Sequence, residues 1–406
     1  MPGWHSVLRQ SSVTIDWTWT STPKIDESHS VTSSLVFVSS LLALDFELGP
    51  ELEFAIRDAV EASTAFCVLD RRTSPRRRVE ELTRLGATAL RDRDGRSDLT
   101  GGAPVDDEIG LVMLTSGSSG EPKAVELTWS ALRASAELTQ STLRGDAAPV
   151  WFPCLPPCHI GGLAVLLRAV LSDATLYWGD AENLEAAAAG GATHVSIVRA
   201  QLARHDVSGF HSVLLGGARP PVDRPANVIA TWGMTETGSG VVYDGIALPG
   251  VDVVSVEGEI CVRTPTLFRS YRDAPKPLVR GPDGRVDWFP TGDAGEVTGD
   301  RVSVKGRLGF VINTGGEKLW PEELESVLAT IERVRDVAVT GVEDPEWGQR
   351  VVALIVSDGS HFDDVIRAVA AERIGPWAKP KEVRYVAAIP RTANGKIRRS
   401  TLANLF

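Results

Sequence analysis

A glycine- and serine-rich loop between two apolar runs is the feature of this chain that most restricts its fold. The loop reads LTSGSSGEPK at residues 114–123, and the apolar runs are residues 109–114 and 124–127. Both runs have the composition of short buried strands, and clustered glycines, hydroxyls and a lysine are typical of loops that hold a polyphosphate. The lysine follows a proline, so this is not a Gly-Lys-Ser/Thr phosphate loop. The order strand, loop, strand predicts a loop folded over a ligand rather than a dinucleotide-binding turn into a helix.

Helix-like and strand-like segments alternate through the first part of the chain. Helical patterns lie at residues 50–60, 128–143, 163–171 and 184–189, and strand-like runs at residues 66–69, 174–177, 194–198, 212–215 and 228–230. This alternation predicts an α/β fold with parallel-rich sheets covered by helices. Ligands of such sheets bind beyond the carboxyl ends of the strands. Gly216-Gly217 and Thr231-Trp232-Gly233 follow two of the predicted strands, so we expect a ligand there.

The pattern changes near residue 251. Residues 251–304 contain short strands and turns, which predicts a small β-rich subdomain. From about residue 308 helices (321–335 and 362–374) mix with strands (337–342 and 350–356). We therefore predict a large N-terminal domain at residues 1–306 and a small, mobile α+β lid at residues 307–406. Residues 1–105 give no specific indication of a role.

Composition limits the classes of function. With 42 basic and 53 acidic side chains, the formal net charge is −11. That charge argues against non-specific binding to nucleic acid or to an anionic membrane. Four cysteines in 406 residues do not form a disulfide framework. The apolar run at residues 35–44 is too short to span a membrane and predicts a buried helix or strand. We expect a cytoplasmic protein with no signal peptide and no stable membrane insertion, and we leave a homodimer open.

Four more segments complete a constellation with the loop. They are TWGMTE at residues 231–236, Thr291-Gly292-Asp293, Gly306-Arg307 and PRTANGK at residues 390–396. Each is weak alone: Thr-Gly-Asp predicts a tight turn, and a Gly-Lys near the C-terminus is usually surface. Their order and spacing over roughly residues 105–406 resemble the adenylate-forming superfamily, which comprises acyl- and aryl-CoA synthetases, luciferases and adenylation domains.

The resemblance implies ATP, Mg²⁺ and coenzyme A as ligands and assigns roles by position. It implies that the β- and γ-phosphates of ATP meet Thr115, Ser116, Gly117, Ser118, Ser119, Gly120 and Lys123. It implies that adenine lies against Gly216, Gly217 and Ala218 with Thr231 and Trp232 beside it, and that Gly233 also belongs to the ATP site. It implies that Asp293 accepts hydrogen bonds from the ribose hydroxyls and that Arg307 is a further ribose or phosphate contact. Thr235 would contact the α-phosphate, and Glu236 would be the Mg²⁺ ligand. Lys396 would be the catalytic lysine, which stabilises negative charge between the substrate carboxylate and the α-phosphate.

The same resemblance implies a second half-reaction with a thiol. In the superfamily the lid rotates about a hinge two residues after the arginine, which here is Gly309. Aspartate or lysine is usual at that position, and glycine permits the required change of backbone angles. Gly315 and Gly316 match the glycine-rich face that the rotation brings to the coenzyme A tunnel.

The carboxylic acid is indicated by residues 154–168. Cys154, Cys158 and His159 could suggest a metal site, but no second pair completes one. His159 is either a core histidine or, by the resemblance, part of an acyl pocket together with Gly162. Arg168 is either a surface residue with a snorkelling side chain or the partner of a second substrate carboxylate, and both interpretations stay open. The arginines at residues 71–72 and 76–78 predict a solvated loop, with contact to an anionic ligand as the alternative.

Three segments narrow the resemblance. HIGGLAVLLR at residues 159–168, residues 231–251 and INTGGEKLWP at residues 312–321 resemble the o-succinylbenzoate–CoA ligases of menaquinone biosynthesis, especially short actinobacterial forms. In that family an arginine at the position of Arg168 is thought to meet a substrate carboxylate. The alternatives are another acyl- or aryl-CoA ligase, an adenylating enzyme that loads a carrier protein, or a non-catalytic nucleotide-binding relative.

Overall fold

Short strands and helices alternate along the protein, as described by a computed structural model for residues 38–115, 122–143, 145, 148–172, 174–221, 223–391 and 396–406. These residues belong to one compact unit, Phe37–Phe406. The helices are α1 (Pro50–Glu61), α2 (Pro75–Leu85), α3 (Trp129–Thr142), α4 (Ile160–Leu171), α5 (Leu184–Ala189), α6 (Arg199–Leu202), α7 (Pro321–Leu328), α8 (Asp363–Arg373) and α9 (Arg399–Leu402). Short 3₁₀ turns occupy Thr235–Thr237, Leu308–Phe310, Pro376–Ala378 and Ala403–Leu405.

The strands form four sheets in the described residues. They are β1 (Val38–Ser39), β2 (Leu42–Leu44), β3 (Phe66–Val68), β4 (Ala89–Asp92), β5 (Gly95–Asp98), β6 (Val105–Asp106), β7 (Ile109–Leu114), β8 (Ala124–Thr128), β9 (Val150–Phe152), β10 (Thr175–Leu176), β11 (His194–Val198), β12 (Ser212–Gly216), β13 (Val228–Met234), β14 (Ser239–Tyr243), β15 (Ile246–Ala247), β16 (Asp252–Val256), β17 (Glu259–Arg263), β18 (Ser270–Tyr271), β19 (Val279–Arg280), β20 (Val286–Thr298), β21 (Arg301–Arg307), β22 (Ile312–Thr314), β23 (Glu317–Leu319), β24 (Val334–Asp344), β25 (Gly348–Ser357) and β26 (Glu382–Tyr385). Strands β1 and β6 form a small antiparallel pair of their own.

The strands around the glycine-rich loop belong to a seven-stranded sheet in the order β18-β8-β7-β3-β2-β4-β5. Strands β7 and β8 form the predicted hairpin, with Leu114 opposite Ala124 where the loop begins and ends. Helix α3 follows β8 directly, and the hydroxyl of Thr128 caps it by accepting a hydrogen bond from Ala131 N at 3.1 Å. The apolar run near residue 40 is strand rather than helix in its described part.

A twelve-stranded sheet carries most of the candidate site residues. Strands β10, β9, β11, β12 and β13 are parallel, and β14, β15, β21, β20, β17 and β16 continue the sheet with antiparallel pairs. Strand β13 belongs to both halves. It is parallel to β12 through residues 228–230 and antiparallel to β14 through residues 231–234.

Helices lie between these two large sheets and supply the main core. Leu52 and Ile56 of α1 pack in one cluster with Leu163 and Leu166 of α4, and all four side chains are fully buried. Each such side chain contributes about 1.5–3 kcal/mol of hydrophobic free energy. The core cluster also contains buried residues of both sheets, so it fixes the strand ends of one sheet relative to the other.

The C-terminal part has its own sheet and its own core. Strands β23, β22, β25 and β24 lie in that order, and β26 pairs with β25 in parallel. Helices α7 and α8 cover the sheet through Leu324, Leu328, Ile366 and Ala370. The predicted domain boundary at residues 306–307 lies at the end of β21 and remains a prediction. None of the described helices is long and apolar enough to span a membrane.

Several predicted boundaries were wrong because non-local pairing or packing overrides the local pattern. The strand expected at residues 228–230 continues to Met234, since β14 pairs with it. Helix α4 begins at Ile160 rather than at Leu163. Gly162 is therefore inside the helix, where a Cβ atom would lie 2.3 Å from the Pro156 carbonyl oxygen.

Two further corrections concern the C-terminal half. Thr291-Gly292-Asp293 is not a tight turn but an irregular part of β20, where the pairing with β17 shifts register and Gly292 has φ +76°. Helix α7 ends at Leu328 instead of residue 335. The amides of Thr330 and Ile331 then make turn hydrogen bonds to the carbonyls of Val327 and Leu328, and the chain enters β24 at residue 334.

Candidate active site

The side chains of Trp232 and Arg307 meet that of Asp293, and the three residues lie on separate strands of the twelve-stranded sheet. Trp232 Nε1 donates a hydrogen bond of 2.8 Å to Asp293 Oδ2, and Arg307 Nε lies 2.9 Å from Asp293 Oδ1. Arg307 Nη1 also donates to the Thr291 carbonyl oxygen at 2.7 Å. The pairing of β20 with β21 places Asp293 opposite Arg307. Both oxygens of the carboxylate are thus held in one orientation.

Asp293 is a buried carboxylate with a compensating charge. Its side chain is only 9% exposed. Burial raises the pKa of Asp293, and the charge of Arg307 with the Trp232 hydrogen bond opposes that rise. A fixed carboxylate of this kind can accept hydrogen bonds from the hydroxyl groups of a ligand.

Glycines lie at the end of β12 and near the end of β13. Gly217 has φ +83°, a conformation that favours glycine. A Cβ atom on Gly216 would lie 3.2 Å from Thr231 Oγ1, which donates to the Leu215 carbonyl oxygen. The end of β12 beside Thr231 therefore carries no large side chain, since it is followed by Gly217 and Ala218. Gly233 is required for another reason, because a Cβ atom there would lie 2.1 Å from the Ser239 carbonyl oxygen.

Lys396 belongs to the same electrostatic environment as Asp293. The residue as a whole is exposed. Burial lowers the pKa of Lys396, the charge of Arg307 lowers it further, and Asp293 and Glu236 raise it. The structure therefore brings the C-terminal lysine together with residues of β20, β21 and the turn after β13.

Thr235 and Glu236 lie in the 3₁₀ turn after β13. The Tyr271 hydroxyl donates to Glu236 Oε1 at 3.1 Å. Within the described residues no hydrogen bond reaches Oε2, the other carboxylate oxygen. The donor set fits a magnesium ion, which prefers one or two protein carboxylates together with phosphate oxygens and water.

The base of the glycine-rich loop is described, but most of the loop is not. Thr115 N donates to the Lys123 carbonyl oxygen at 2.9 Å and closes the loop at its base. Lys123 Nζ lies 4.8 Å from the centroid of the Tyr271 ring, in cation–π geometry. The predicted phosphate-loop residues Ser116, Gly117, Ser118, Ser119 and Gly120 lie outside the described residues.

Arg168 is a buried cation, only 3% exposed, so the interpretation as a snorkelling surface residue was wrong. Its guanidinium lies 4.6 Å from the Trp151 ring centroid and donates to the hydroxyls of Ser196 and Ser239 at 3.4 and 3.1 Å. Within the described part of the chain no carboxylate pairs with it. Burial accordingly lowers the pKa of Arg168.

His159 lies at the N-terminus of α4 in a small polar cluster. Arg72 Nη2 lies 2.8 Å from Asp70 Oδ2, 3.6 Å from Cys158 Sγ and 3.2 Å from His159 Nε2. Asp70, Cys158 and His159 could together hold a metal ion by their spacing, but the guanidinium of Arg72 contacts all three. On α2, Arg76 and Arg77 are exposed and Arg78 is half-buried, whereas Arg72 is part of this cluster.

The glycines predicted for the hinge and the coenzyme A face lie in the C-terminal part. Gly309 is inside the 3₁₀ turn after β21, and a Cβ atom there would meet nothing within 4 Å. Gly315 and Gly316 have φ +61° and +88° and form the turn between β22 and β23. Gly315 N donates to the Trp347 carbonyl oxygen at 2.9 Å. This hydrogen bond ties the turn to the residue just before β25 of the C-terminal sheet.

Sequence analysis missed the residues that support the site. Tyr271 contacts Glu236 and Lys123, and Ser196 and Ser239 contact Arg168. Tyr271 and Ser196 lie outside the recognised motifs, and Ser239, which lies within residues 231–251, had no role assigned to it. The one available signal was the position of Ser196 within a strand that ends beside the predicted ligand edge.

The sequence matches the AMP-binding enzyme family over residues 49–272 and the AMP-binding enzyme C-terminal domain over residues 323–396. The chain therefore belongs to the AMP-binding enzyme family, which confirms the resemblance and the α/β fold class predicted from the motifs.

Particular relatives share most of the chain. The probable 2-succinylbenzoate–CoA ligase of Mycobacterium tuberculosis is 36% identical over 336 residues, which cover 75% of this chain and 86% of that protein. The 2-succinylbenzoate–CoA ligase of Listeria innocua is 30% identical over 72% of this chain and 69% of that protein. The o-succinylbenzoate CoA synthetase (MenE) of Bacillus subtilis, solved with the acyl-adenylate intermediate OSB-AMP, has a TM-score of 0.76 at 23% identity and covers 89% of this chain and 88% of its own. ATP-bound MatB of Rhodopseudomonas palustris has a TM-score of 0.77 at 21% identity, with 91% and 89% covered.

Proposed function

We propose that this protein is an ATP-dependent acid–thiol ligase that adenylates o-succinylbenzoate, releases pyrophosphate and transfers the acyl group to coenzyme A. The product would be o-succinylbenzoyl-CoA for menaquinone biosynthesis. Support comes from family membership and from the 2-succinylbenzoate–CoA ligase relatives at 36% and 30% identity. The o-succinylbenzoate CoA synthetase (MenE) of Bacillus subtilis has been solved with OSB-AMP and, separately, with ATP and a magnesium ion. The same nucleotide and metal are proposed for this protein.

The observation that carries the choice of acid is Arg168. o-Succinylbenzoate has two carboxylates, and adenylation consumes only one of them. The second needs a cationic partner in a largely apolar pocket, and a guanidinium suits it because its planar fork binds a carboxylate through two hydrogen bonds. Arg168 is buried, held by hydroxyls and aromatic surface, and not paired with an acid in the described residues. With Gly162 on the same helix and His159 at the N-cap of that helix, it defines the proposed acid-binding end.

The nucleotide end is proposed from the residues around Asp293. The strand-end residues Gly216, Gly217, Ala218, Thr231, Trp232 and Gly233 would receive the adenine. Asp293 would accept hydrogen bonds from the ribose hydroxyls, with Arg307 beside it. Thr115, Lys123 and the glycine-rich loop would hold the β- and γ-phosphates, and Thr235 the α-phosphate. Magnesium bound through Glu236 would supply charge neutralisation at the phosphates.

Lys396 would stabilise the adenylation transition state. The substrate carboxylate attacks the α-phosphorus, pyrophosphate leaves, and negative charge develops on oxygens between the two reactants. An ammonium placed in the field of Asp293 and Glu236 would meet that charge with little reorganisation of solvent. No protein nucleophile is required.

Thioester formation is proposed to use the other face of the C-terminal part. Residues 307–406 would rotate as a lid about Gly309, removing Lys396 and presenting Gly315 and Gly316 to the thiol. The sulfur would then attack the acyl carbonyl carbon, and AMP would leave. Residues 1–306 would form the domain that retains the adenylate.

The deciding measurement is pyrophosphate release with ATP, Mg²⁺ and a panel of acids, each with and without coenzyme A. The panel contains o-succinylbenzoate, benzoate and a medium-chain fatty acid. We expect strong preference for o-succinylbenzoate and a thioester product only when coenzyme A is present. Preference for another acid would replace the substrate but keep the ligase chemistry. No release with any acid would support a non-catalytic nucleotide-binding relative.

One alternative acceptor needs its own test. A carrier protein could replace coenzyme A, and thioester formation on free coenzyme A at a rate equal to adenylation would argue against it. We further expect small-molecule ligands only, a cytoplasmic location and no nucleic-acid partner. A homodimer is left open.

A further inference from the structure

Tyr271 is fixed beside the strand that leaves the glycine-rich loop. It lies in β18, opposite Val125 of β8. The backbone on either side of it is also tied to β8: Arg269 N donates to the Glu126 carbonyl oxygen at 2.8 Å, and Arg272 N donates to the Ala124 carbonyl oxygen at 2.9 Å. The position of Tyr271 is therefore locked to the strand that begins directly after Lys123.

The Tyr271 side chain contacts two groups with proposed roles in ATP binding. Its hydroxyl donates to Glu236 Oε1 at 3.1 Å, and its ring lies 4.8 Å from Lys123 Nζ. Phe268, three residues earlier, donates from its backbone N to the Glu236 carbonyl oxygen at 2.8 Å. The same short segment thus holds both the backbone and the carboxylate of Glu236.

The hydroxyl is well suited to orient the carboxylate. Tyr271 is only 8% exposed. A phenolic hydroxyl is a hydrogen-bond donor at neutral pH, and here it points at the carboxylate oxygen 3.1 Å away. A hydrogen bond on Oε1 leaves Oε2 to face a cation, and partners that orient metal ligands in this way are a common feature of metal sites.

We propose that Tyr271 is a positioning residue for Mg²⁺·ATP, whose hydroxyl directs Glu236 Oε2 toward the metal while its ring holds Lys123 at the phosphate loop. This inference rests on the proposed ATP-dependent function. It adds a coupling between the metal side and the phosphate side of the site, carried by one aromatic side chain.

A purely structural role is the alternative, because the ring also packs against Phe268 at a centroid distance of 4.8 Å. Tyr271→Phe separates the two roles, since it keeps the ring and its packing and removes only the hydroxyl. Tyr271→Leu removes the hydroxyl and the ring. Tyr385→Phe is the matched control, because the Tyr385 hydroxyl donates to Asp363 Oδ1, also at 3.1 Å, in the C-terminal part.

The experiment is calorimetric titration of the full chain with ATP, in EDTA and over a series of Mg²⁺ concentrations, without any acid substrate. For Tyr271→Phe we expect unchanged affinity for metal-free ATP and about a tenfold higher Mg²⁺ concentration for half-maximal enhancement of binding. For Tyr271→Leu we expect metal-free ATP affinity to fall by about threefold as well, because Lys123 loses its ring. Tyr385→Phe should match the unaltered protein in both measurements.

The possible outcomes distinguish the positioning role of Tyr271 from a structural role and from failure of the proposed function. If Tyr271→Phe needs the same Mg²⁺ concentration as the unaltered protein for half-maximal enhancement of ATP binding, or a lower one, the positioning role is overturned. The proposed function is not affected by that result. Equal loss with and without Mg²⁺, accompanied by a lower melting temperature, shows a structural role and also overturns it. Failure of the unaltered protein to bind ATP overturns the proposed function and this inference together. The test is independent of which acid the protein activates.

Discussion

Arg307 and Arg168 serve the two ends of the proposed site, and their surroundings differ. Arg307 is 37% exposed and forms an ion pair of 2.9 Å with Asp293. Arg168 is 3% exposed, and its guanidinium contacts the hydroxyls of Ser196 and Ser239 and the Trp151 ring. Among the described residues, Arg307 thus has an acidic partner, whereas Arg168 has none.

The difference follows from the cost of burying charge. A guanidinium without an acidic partner loses hydration and gains little in return, which is why burial lowers the pKa of Arg168. A substrate carboxylate would supply the missing interaction, and a substrate without one would leave the charge uncompensated. We therefore expect selectivity at the proposed acid end to arise from an incomplete interaction, and binding at the proposed nucleotide end from a complete one.

The largest expected effect tests the lysine at the nucleotide end. Lys396→Ala should lower the rate of adenylation by about 10³-fold, because preorganised charge at the reacting oxygens is lost. Thioester formation from preformed o-succinylbenzoyl-AMP should stay within a few-fold of the unaltered rate. Pyrophosphate release and single-turnover thioester formation measure the two steps separately.

Lys379→Ala, at an exposed position in the C-terminal part, is the control for Lys396→Ala and should leave both rates unchanged. Equal loss of both half-reactions in Lys396→Ala would argue against a lid that withdraws the lysine after adenylation.

The second effect tests the acid end directly. Arg168→Gln should lower kcat/KM for o-succinylbenzoate by about 10²-fold, since a buried charge pair with the substrate is lost. Activity with a monocarboxylic analogue should change far less. For Arg168→Lys we expect a kcat/KM for o-succinylbenzoate between those of the unaltered protein and Arg168→Gln, because lysine keeps the charge without the planar fork.

The stability of a third Arg168 variant tests the same contrast. Arg168→Met should not lower the melting temperature of the ligand-free protein, since it removes a buried charge that lacks an acidic partner. A clear loss of melting temperature in Arg168→Met would mean that the hydroxyls and Trp151 already satisfy the guanidinium, and the contrast with Arg307 would fail.

The sequence predicted those parts of the fold that depend on local pattern. Helix α5, strand β11 and the cap at Thr128 lie where hydrophobic spacing and capping chemistry place them. The family motifs also assigned Trp232, Asp293 and Lys396 to one site, and the first two are in contact although no local signal joins them. Trp232 and Asp293 are 61 positions apart and meet only through the order of strands in the sheet.

The failures have the same physical origin. Thr291-Gly292-Asp293 has the composition of a turn, but pairing with β17 and β21 keeps it inside a long strand. The burial of Arg168 depends on what packs around α4, so its sequence position left two interpretations open. The contacts of Tyr271 depend on how β18 pairs with β8, and that pairing has no signature in either segment.

A smaller effect is expected from the ion pair at the nucleotide end. Asp293→Asn should weaken ATP binding by about tenfold, because a hydrogen-bond acceptor loses its charge while the side chain keeps its shape. Calorimetric ATP titration measures it. Asp252→Asn is the control, since the Asp252–Arg263 pair is exposed and such pairs contribute little. Equal weakening in both variants would make Asp293 an ordinary structural acid.

The smallest and sharpest effect is on pH dependence. Lys396 must be protonated to stabilise the developing charge, so adenylation should fall as pH rises through its pKa. Burial and Arg307 lower that pKa below the ordinary 10.5, so the alkaline fall should begin earlier than for an exposed lysine. Asp293 raises the pKa, so Asp293→Asn should move the fall to still lower pH, and Arg307→Gln should move it to higher pH. Profiles of pyrophosphate release at saturating ATP measure both shifts, and a shift of both variants in the same direction would contradict the charge balance assigned to this end of the site.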